Sequence, residues 1–346
     1  MTFRNEAALT GYARAAVAIK TRMHDFCTST AGSEYTRAFV ETLFANSPEP
    51  EPHGEATPDQ KVAEVINRAS GTVWAQGEAY VLAPAMTAIV AAAAEALDLT
   101  GDLLTADAAP ADGGVLFLPE PIYHRNLNGQ VSGIAAITWT TVSSPSGRSW
   151  LICGWAECDD PEDPHAARIR GYTRQDPTLL SRLGPYVMTN LDMLPIAAPV
   201  PAVEHPDDLE PDRDWEAAPD GRYVIADATA RTHVCAATAY AFWRIQAQPI
   251  SVAAPAPLGR PARRRAARAS IVHNTRVVML RRTSALTEPG DGPARWHYRV
   301  RFVVRGHWRR LIDEHGQAYR IWVRVHVKGA EDAPLLRGEK VAVLAR

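Results

Sequence analysis

The sequence predicts an α+β protein: a mixed α/β N-terminal body containing an antiparallel hairpin, followed by a small, basic, antiparallel β-sheet or barrel at the C-terminus. Three observations carry this. Apolar residues recur at helical spacing near the N-terminus, alternate singly between Gly113 and Cys158, and alternate again with a heavy cationic bias after residue 296. The expected divisions are an acidic body over 1–252, a Pro/Ala/Arg-rich linker over 253–270 and a basic module over 271–346.

The elements follow in order. Leu9, Tyr12, Ala16, Ile19, Met23 and Phe26 are spaced by three and four, which predicts an amphipathic helix over 5–29. A second helix is expected over 33–44 with Ser33 as its cap. The prolines that follow exclude a helix interior, so 47–54 reads as a loop. A short third helix over 59–68, a strand over 79–82 and an Ala-rich buried helix over 83–97 complete the first part. Strands are expected over 115–118, 133–142 and 149–156, the last two forming a hairpin about the Ser143-Ser-Pro-Ser-Gly turn. Residues 159–222 are rich in Pro and Asp and predict loops and short helices, and a last body helix spans 226–248, stopping at Pro249.

The chain is long enough for two domains and for a sizeable core. Four irregularly spaced cysteines do not form a disulfide framework, and no stretch has the apolar length of a membrane span or leader, so a cytoplasmic protein without a membrane partner is expected. The formal charge of −2 hides an asymmetry: 20 Lys and Arg against 7 Asp and Glu over 259–346, but 17 against 32 over 1–258. This points to a basic part that meets a polyanion, or that docks on its own acidic body. The acidic body is also a candidate surface for a protein partner.

Within the basic module, a strand over 297–309 places His297, Arg299, Arg301, Arg305, His307 and Arg309 on one side and Tyr298, Val300, Phe302, Val304 and Trp308 on the other. A second, over 319–328, separates Arg320, Trp322, Arg324, His326 and Lys328 from Ile321, Val323, Val325 and Val327. Joined by the Asp-Glu-His-Gly turn, with Val277, Met279 and Leu280 in an earlier strand and Val341 and Val343 in a last one, these predict a sheet with one apolar and one cationic face. Arginine forks match phosphates, and Trp322 among them would offer a base a stacking surface. Arg263, Arg264 and Arg265 of the linker would add a positive arm. The expected partner is therefore nucleic acid, DNA or RNA, bound without catalysis.

An enzymatic alternative rests on His297, His307 and His326, which could supply the acid–base pair of a metal-free ribonuclease or toxin-like nuclease. A solvated or body-docking face is the structural alternative. The Cys153/Cys158 spacing does not suit zinc, the acid runs 159–163 and 207–212 lack calcium-loop spacing, and no nucleotide-cofactor fingerprint occurs, so neither metal nor cofactor is expected. Arg305-Gly-His-Trp-Arg, Ile321-Trp-Val and His326-Val-Lys-Gly-Ala-Glu-Asp-Ala-Pro-Leu, with the closing Glu339-Lys, resemble the C-terminal signature of an uncharacterised family of actinobacterial, phage and mobile-element proteins. The resemblance covers about 85 residues well and extends loosely into the body through Leu118-Pro-Glu-Pro-Ile and Ile137-Thr-Trp. It departs at Arg310 and Ala330, where Asn and Pro are commoner, and it implies an origin, not an activity.

Overall fold

The computed structural model of the chain describes residues 6–45, 58–125, 131–144, 147–158, 183–202, 233–281, 302–304, 306–312, 318–323 and 326–328, with isolated positions between 171 and 178. They divide into two compact units, residues 1–280 and 281–346.

The first unit opens with α1 (Glu6–Cys27), α2 (Thr30–Ala45) and α3 (Pro58–Gln76). The cap of α2 is Ser29 rather than Ser33: its Oγ accepts the Gly32 N–H at 3.1 Å, three residues on, where an orphan donor of the first turn lies. The α1–α2 corner is tight enough that a methyl group at Gly32 would collide with the Phe26 carbonyl. Helix α3 runs eight residues beyond its expected end, through Ser70 and Gly71. A mid-helix glycine costs about 1 kcal/mol. Burial of Val73 and Trp74 just after it contributes about 1.5–3 kcal/mol each and outweighs that cost.

Strand β1 (Glu78–Leu82) leads through Pro84 into α4 (Pro84–Glu95), and β2 (Gly113–Arg125), β3 (Val131–Ser144) and β4 (Gly147–Glu157) follow as expected, with β3 and β4 antiparallel about the turn. Strand β5 (Tyr186–Pro195) falls where loops and short helices were expected. Its first four residues are all buried and Asp192 interrupts its apolar run, so no alternation betrays it. Helix α5 (Val234–Gln246) then precedes β6 (Ser251–Pro255), α6 (Arg260–Arg268) and β7 (Arg276–Leu280).

The seven strands form one sheet in the order β5-β4-β3-β2-β1-β7-β6, with β1 parallel to both β2 and β7 and the other neighbours antiparallel. Helices α1–α3 cover one face around Trp74, whose ring lies 5.4 Å from Trp155 and 6.2 Å from Tyr186. On the other face Phe242 and Trp243 of α5 pack on Tyr80, Trp139 and Trp150, with ring centroids 5.0–6.0 Å apart.

Two expectations are corrected here. Residues 253–270 are not a linker, and 276–280 is not a module strand. Pro255 ends an edge strand, where a missing N–H costs nothing, and Pro261 sits in the first turn of α6, where it is tolerated. Val277 and Val278 are both buried because β7 lies inside the sheet between β1 and β6, with neither face open to solvent. The body therefore extends to Leu280, and 281–346 retains 14 Lys and Arg against 7 Asp and Glu.

The second unit contains β8 (Phe302–Val304), β9 (His307–Ile312), β10 (Ala318–Val323) and β11 (His326–Lys328). β9 pairs with β10 and β8 with β11, both antiparallel. The two ladders share one register: extending the Val304–His326 pair residue by residue reaches the observed His307–Val323 pair. The expected last strand at Val341 and Val343 lies outside the described residues.

Candidate nucleic-acid interface

Helix α6 is cationic and firmly seated. Ala262, Ala266 and Ala269 recur every three or four residues, and this small-residue stripe packs with Val17 of α1, Ala75, Leu258 and Ile271. Its C-terminus closes in a Schellman arrangement: Ser270 takes a left-handed φ of 55°, its N–H donates to Ala267 at 3.2 Å, and the Ile271 N–H donates to Ala266 at 2.9 Å. The next residues are latched to the α3–β1 connection. Val272 N–H donates to the Ala75 carbonyl at 2.8 Å, and Gln76 Nε2 donates to the Ser270 carbonyl at 2.7 Å. Lys20, wholly buried on α1, ties both connections together by donating to Gly77 at 2.6 Å and Val272 at 2.8 Å. Burial pushes its pKa down to about 8, against the opposing pull of Glu78.

The outer side of α6 carries Arg260, Arg263, Arg264, Arg265 and Arg268, all exposed and none ion-paired with a described residue. By contrast Arg276, the sixth arginine of 259–280, pairs with Glu78 at 3.4 Å and lies over the Tyr80 ring. No acid occurs anywhere in 259–280. For the free protein this distribution is unfavourable. Arg260–Arg264 and Arg264–Arg268 are like charges one turn apart, each costing about 0.2–0.5 kcal/mol, and the N-terminal turn of a helix favours anions over cations.

The hairpin corrects the expected single cationic face. Five residues join Ile312 to Ala318, so paired residues share parity: Trp308 stands opposite Trp322 and Arg310 opposite Arg320 on one face, while His307 stands opposite Val323 and Arg309 opposite Ile321 on the other. The expected face needs the two strands paired in opposite parity, which takes a connection of even length. Lys328 is registered with Phe302, and His326 with Val304. Trp322 is not an open stacking surface: it is 6% exposed, its ring lies edge-on 5.4 Å from Trp308, and a methyl at Gly306 would strike it. His307, Arg309 and Arg310 are exposed and Arg320 half-buried. His297, Arg299, Arg301, Arg305 and Arg324 lie outside the described residues, and the described register does not pair His307 with His326.

Asp192 of β5 accepts from His233 Nδ1 at 3.0 Å and from the Ala236 N–H at 3.0 Å, capping α5 from a neighbouring strand. Burial works to lower the His233 pKa, but the hydrogen bond and charge of Asp192 prevail and hold it above its ordinary value. A 470 Å³ pocket between α1, α2 and α3 is rimmed by Glu34, Glu64, Arg37 and Arg68, so it selects no ligand charge, and Asn67 in its wall is engaged with Cys27, Ser33 and Thr36. Cys27, Cys153, Cys158 and Cys235 are free and buried, and no group of three metal-ligating side chains occurs among the described residues. The acid runs 159–163 and 207–212 lie outside them. No described helix is long and apolar enough to cross a membrane.

No family model, curated protein or solved structure matches the chain.

Proposed function

We propose that this protein binds nucleic acid through its phosphates, using, each by itself, the arginine face of α6 in the first unit and the basic hairpin of the second, in the bacterial mobile-element or host setting that the C-terminal resemblance implies. The observation that carries this reading is α6 itself: five exposed arginines, unanswered by any described acid, on a helix locked to the body by its alanine stripe and its C-terminal closure. A seated helix loses little freedom on binding, and guanidinium forks suit phosphate oxygens. Each phosphate neutralised on a duplex releases condensed counterion, which makes affinity fall steeply with salt.

The test is fluorescence anisotropy of the full chain with labelled duplex and single-stranded oligonucleotides at 50 and 200 mM salt. Binding that weakens by about 10²-fold or more over that range is expected. The triple change R263Q/R264Q/R265Q should weaken it further and flatten its salt dependence. Absence of binding at 50 mM salt would overturn the reading in favour of a structural or protein-binding role.

A further inference from the structure

The arginines of α6 form a fan rather than a stripe. At about 100° per residue, Ala262, Ala266 and Ala269 occupy the side turned to the body, Arg263 and Arg265 lie on its two flanks, and Arg260, Arg264 and Arg268 run along the outer crest between them. From Arg263 to Arg265 across that crest the cations span about 200° of the circumference, and along the axis Arg260 and Arg268 are about 12 Å apart. Ala266 is the one fully buried residue of the helix, so α6 stands proud of the body as a ridge. Besides its arginines the exposed surface of the ridge offers only Pro261 and Ala267, with neither an aromatic nor an acid.

This shape decides between anionic ligands. A membrane surface is flat and would meet the crest alone, and a helix that lies on lipid presents an apolar face to it, whereas the apolar stripe of α6 is turned to the body. A single strand is held by aromatic side chains that stack on its bases, and the ridge carries none. The major groove of an A-form RNA duplex is too deep and narrow for side chains to read. A B-form major groove, about 12 Å wide, admits a helix of about 10–12 Å diameter and sets a row of phosphates on either side of it. Resting on the proposal above, we infer that α6 enters the major groove of double-stranded DNA, with Arg263 and Arg265 on phosphates of opposite strands and Arg264, at the middle of the crest, on a guanine edge. A guanidinium fork engages guanine O6 and N7 together, a pair of acceptors that no other base presents there. Ala267, three residues after Arg264 on the same crest, is small enough to let the helix approach the groove floor.

The full chain is titrated with a G·C-rich DNA duplex, the same duplex with 7-deazaguanine in place of guanine, the RNA duplex of that sequence and one of its DNA strands. 7-Deazaguanine removes the N7 acceptor and leaves the phosphates unchanged. The unmodified DNA duplex should be preferred over the RNA duplex and the single strand by at least about tenfold, and over the 7-deazaguanine duplex by about fivefold or more. Arg264→Gln should lose most of that last preference, whereas Arg263→Gln and Arg265→Gln should each weaken both DNA duplexes alike and each reduce the salt slope by about one. All three positions are exposed, and the comparison of duplexes is made with the unaltered protein. Equal binding of the two DNA duplexes, equal binding of DNA and RNA duplexes, or a single strand bound as tightly as the duplex overturns groove entry while leaving nucleic-acid binding standing. Failure to bind any of the four nucleic acids overturns both.

Discussion

Asp192 and His233 meet at 3.0 Å, and the second carboxylate oxygen of Asp192 simultaneously receives the Ala236 N–H, so one side chain from the edge strand β5 fixes both an imidazole and the first turn of α5. Because His233 is held above its ordinary pKa, folding favours its protonated form. Its contribution to stability is complete below the unfolded value of about 6.5 and disappears as pH rises through the folded value. Chemical denaturation between pH 6 and 8 should show this fall, and Asp192→Asn should abolish it while costing about 1–3 kcal/mol at pH 6.

Lys20 predicts the opposite trend in a higher window. Its pKa is lowered in the fold, so the unfolded chain binds the extra proton between about 8 and 10.5, and stability gained from this residue rises with pH across that interval. The difference in unfolding free energy between the native protein and Lys20→Met, followed from pH 7.5 to 9.5, isolates it from the tyrosines that titrate above. A flat difference would show that Lys20 keeps its ordinary pKa.

Arg264 sits between Arg260 and Arg268, one turn from each. Arg264→Glu replaces two repulsions by two attractions and should raise stability by about 0.5–1.5 kcal/mol in thermal melts. The same change should reduce nucleic-acid affinity at least tenfold at 50 mM salt. A variant that gains stability and keeps its affinity would separate α6 from binding.

Two backbone positions offer a further check. Ser270→Gly relieves a left-handed conformation that side chains disfavour and should stabilise the protein by up to about 1 kcal/mol. Gly32→Ala drives a methyl into the Phe26 carbonyl and should destabilise it by about 1–3 kcal/mol. Urea unfolding measures both.

Much of the body is legible because periodicity is local. The spacing of Leu9, Tyr12, Ala16 and Met23 and the alternation through β3 and β4 each report a face buried within one segment. What escaped was decided by partners distant in sequence. Nothing near 253–280 says that β7 will lie beside β1, and the proline and arginine content of that stretch imitates a linker until the alanine stripe of α6 is matched with Val17. The arginines of the candidate site are visible as residue types, but their grouping is not. Whether two alternating strands place their cations together depends on the length of the turn between them, and the five residues from 313 to 317 set a parity that alternation within either strand does not contain.

The place of β7 in the sheet also dictates when the protein can fold during its synthesis. Tyr80 of β1 must wait for Arg276, its registered partner some 200 residues later, and at ribosomal rates that separates their appearance by about 10–40 s. Throughout that interval β1 has one unpaired edge, flanked by the apolar side chains of Val81 and Leu82. A nascent chain halted between Pro195 and Arg276 is left with a mixed sheet open along its β1 edge, a ready substrate for chaperones and for misassociation with its neighbours on the same message.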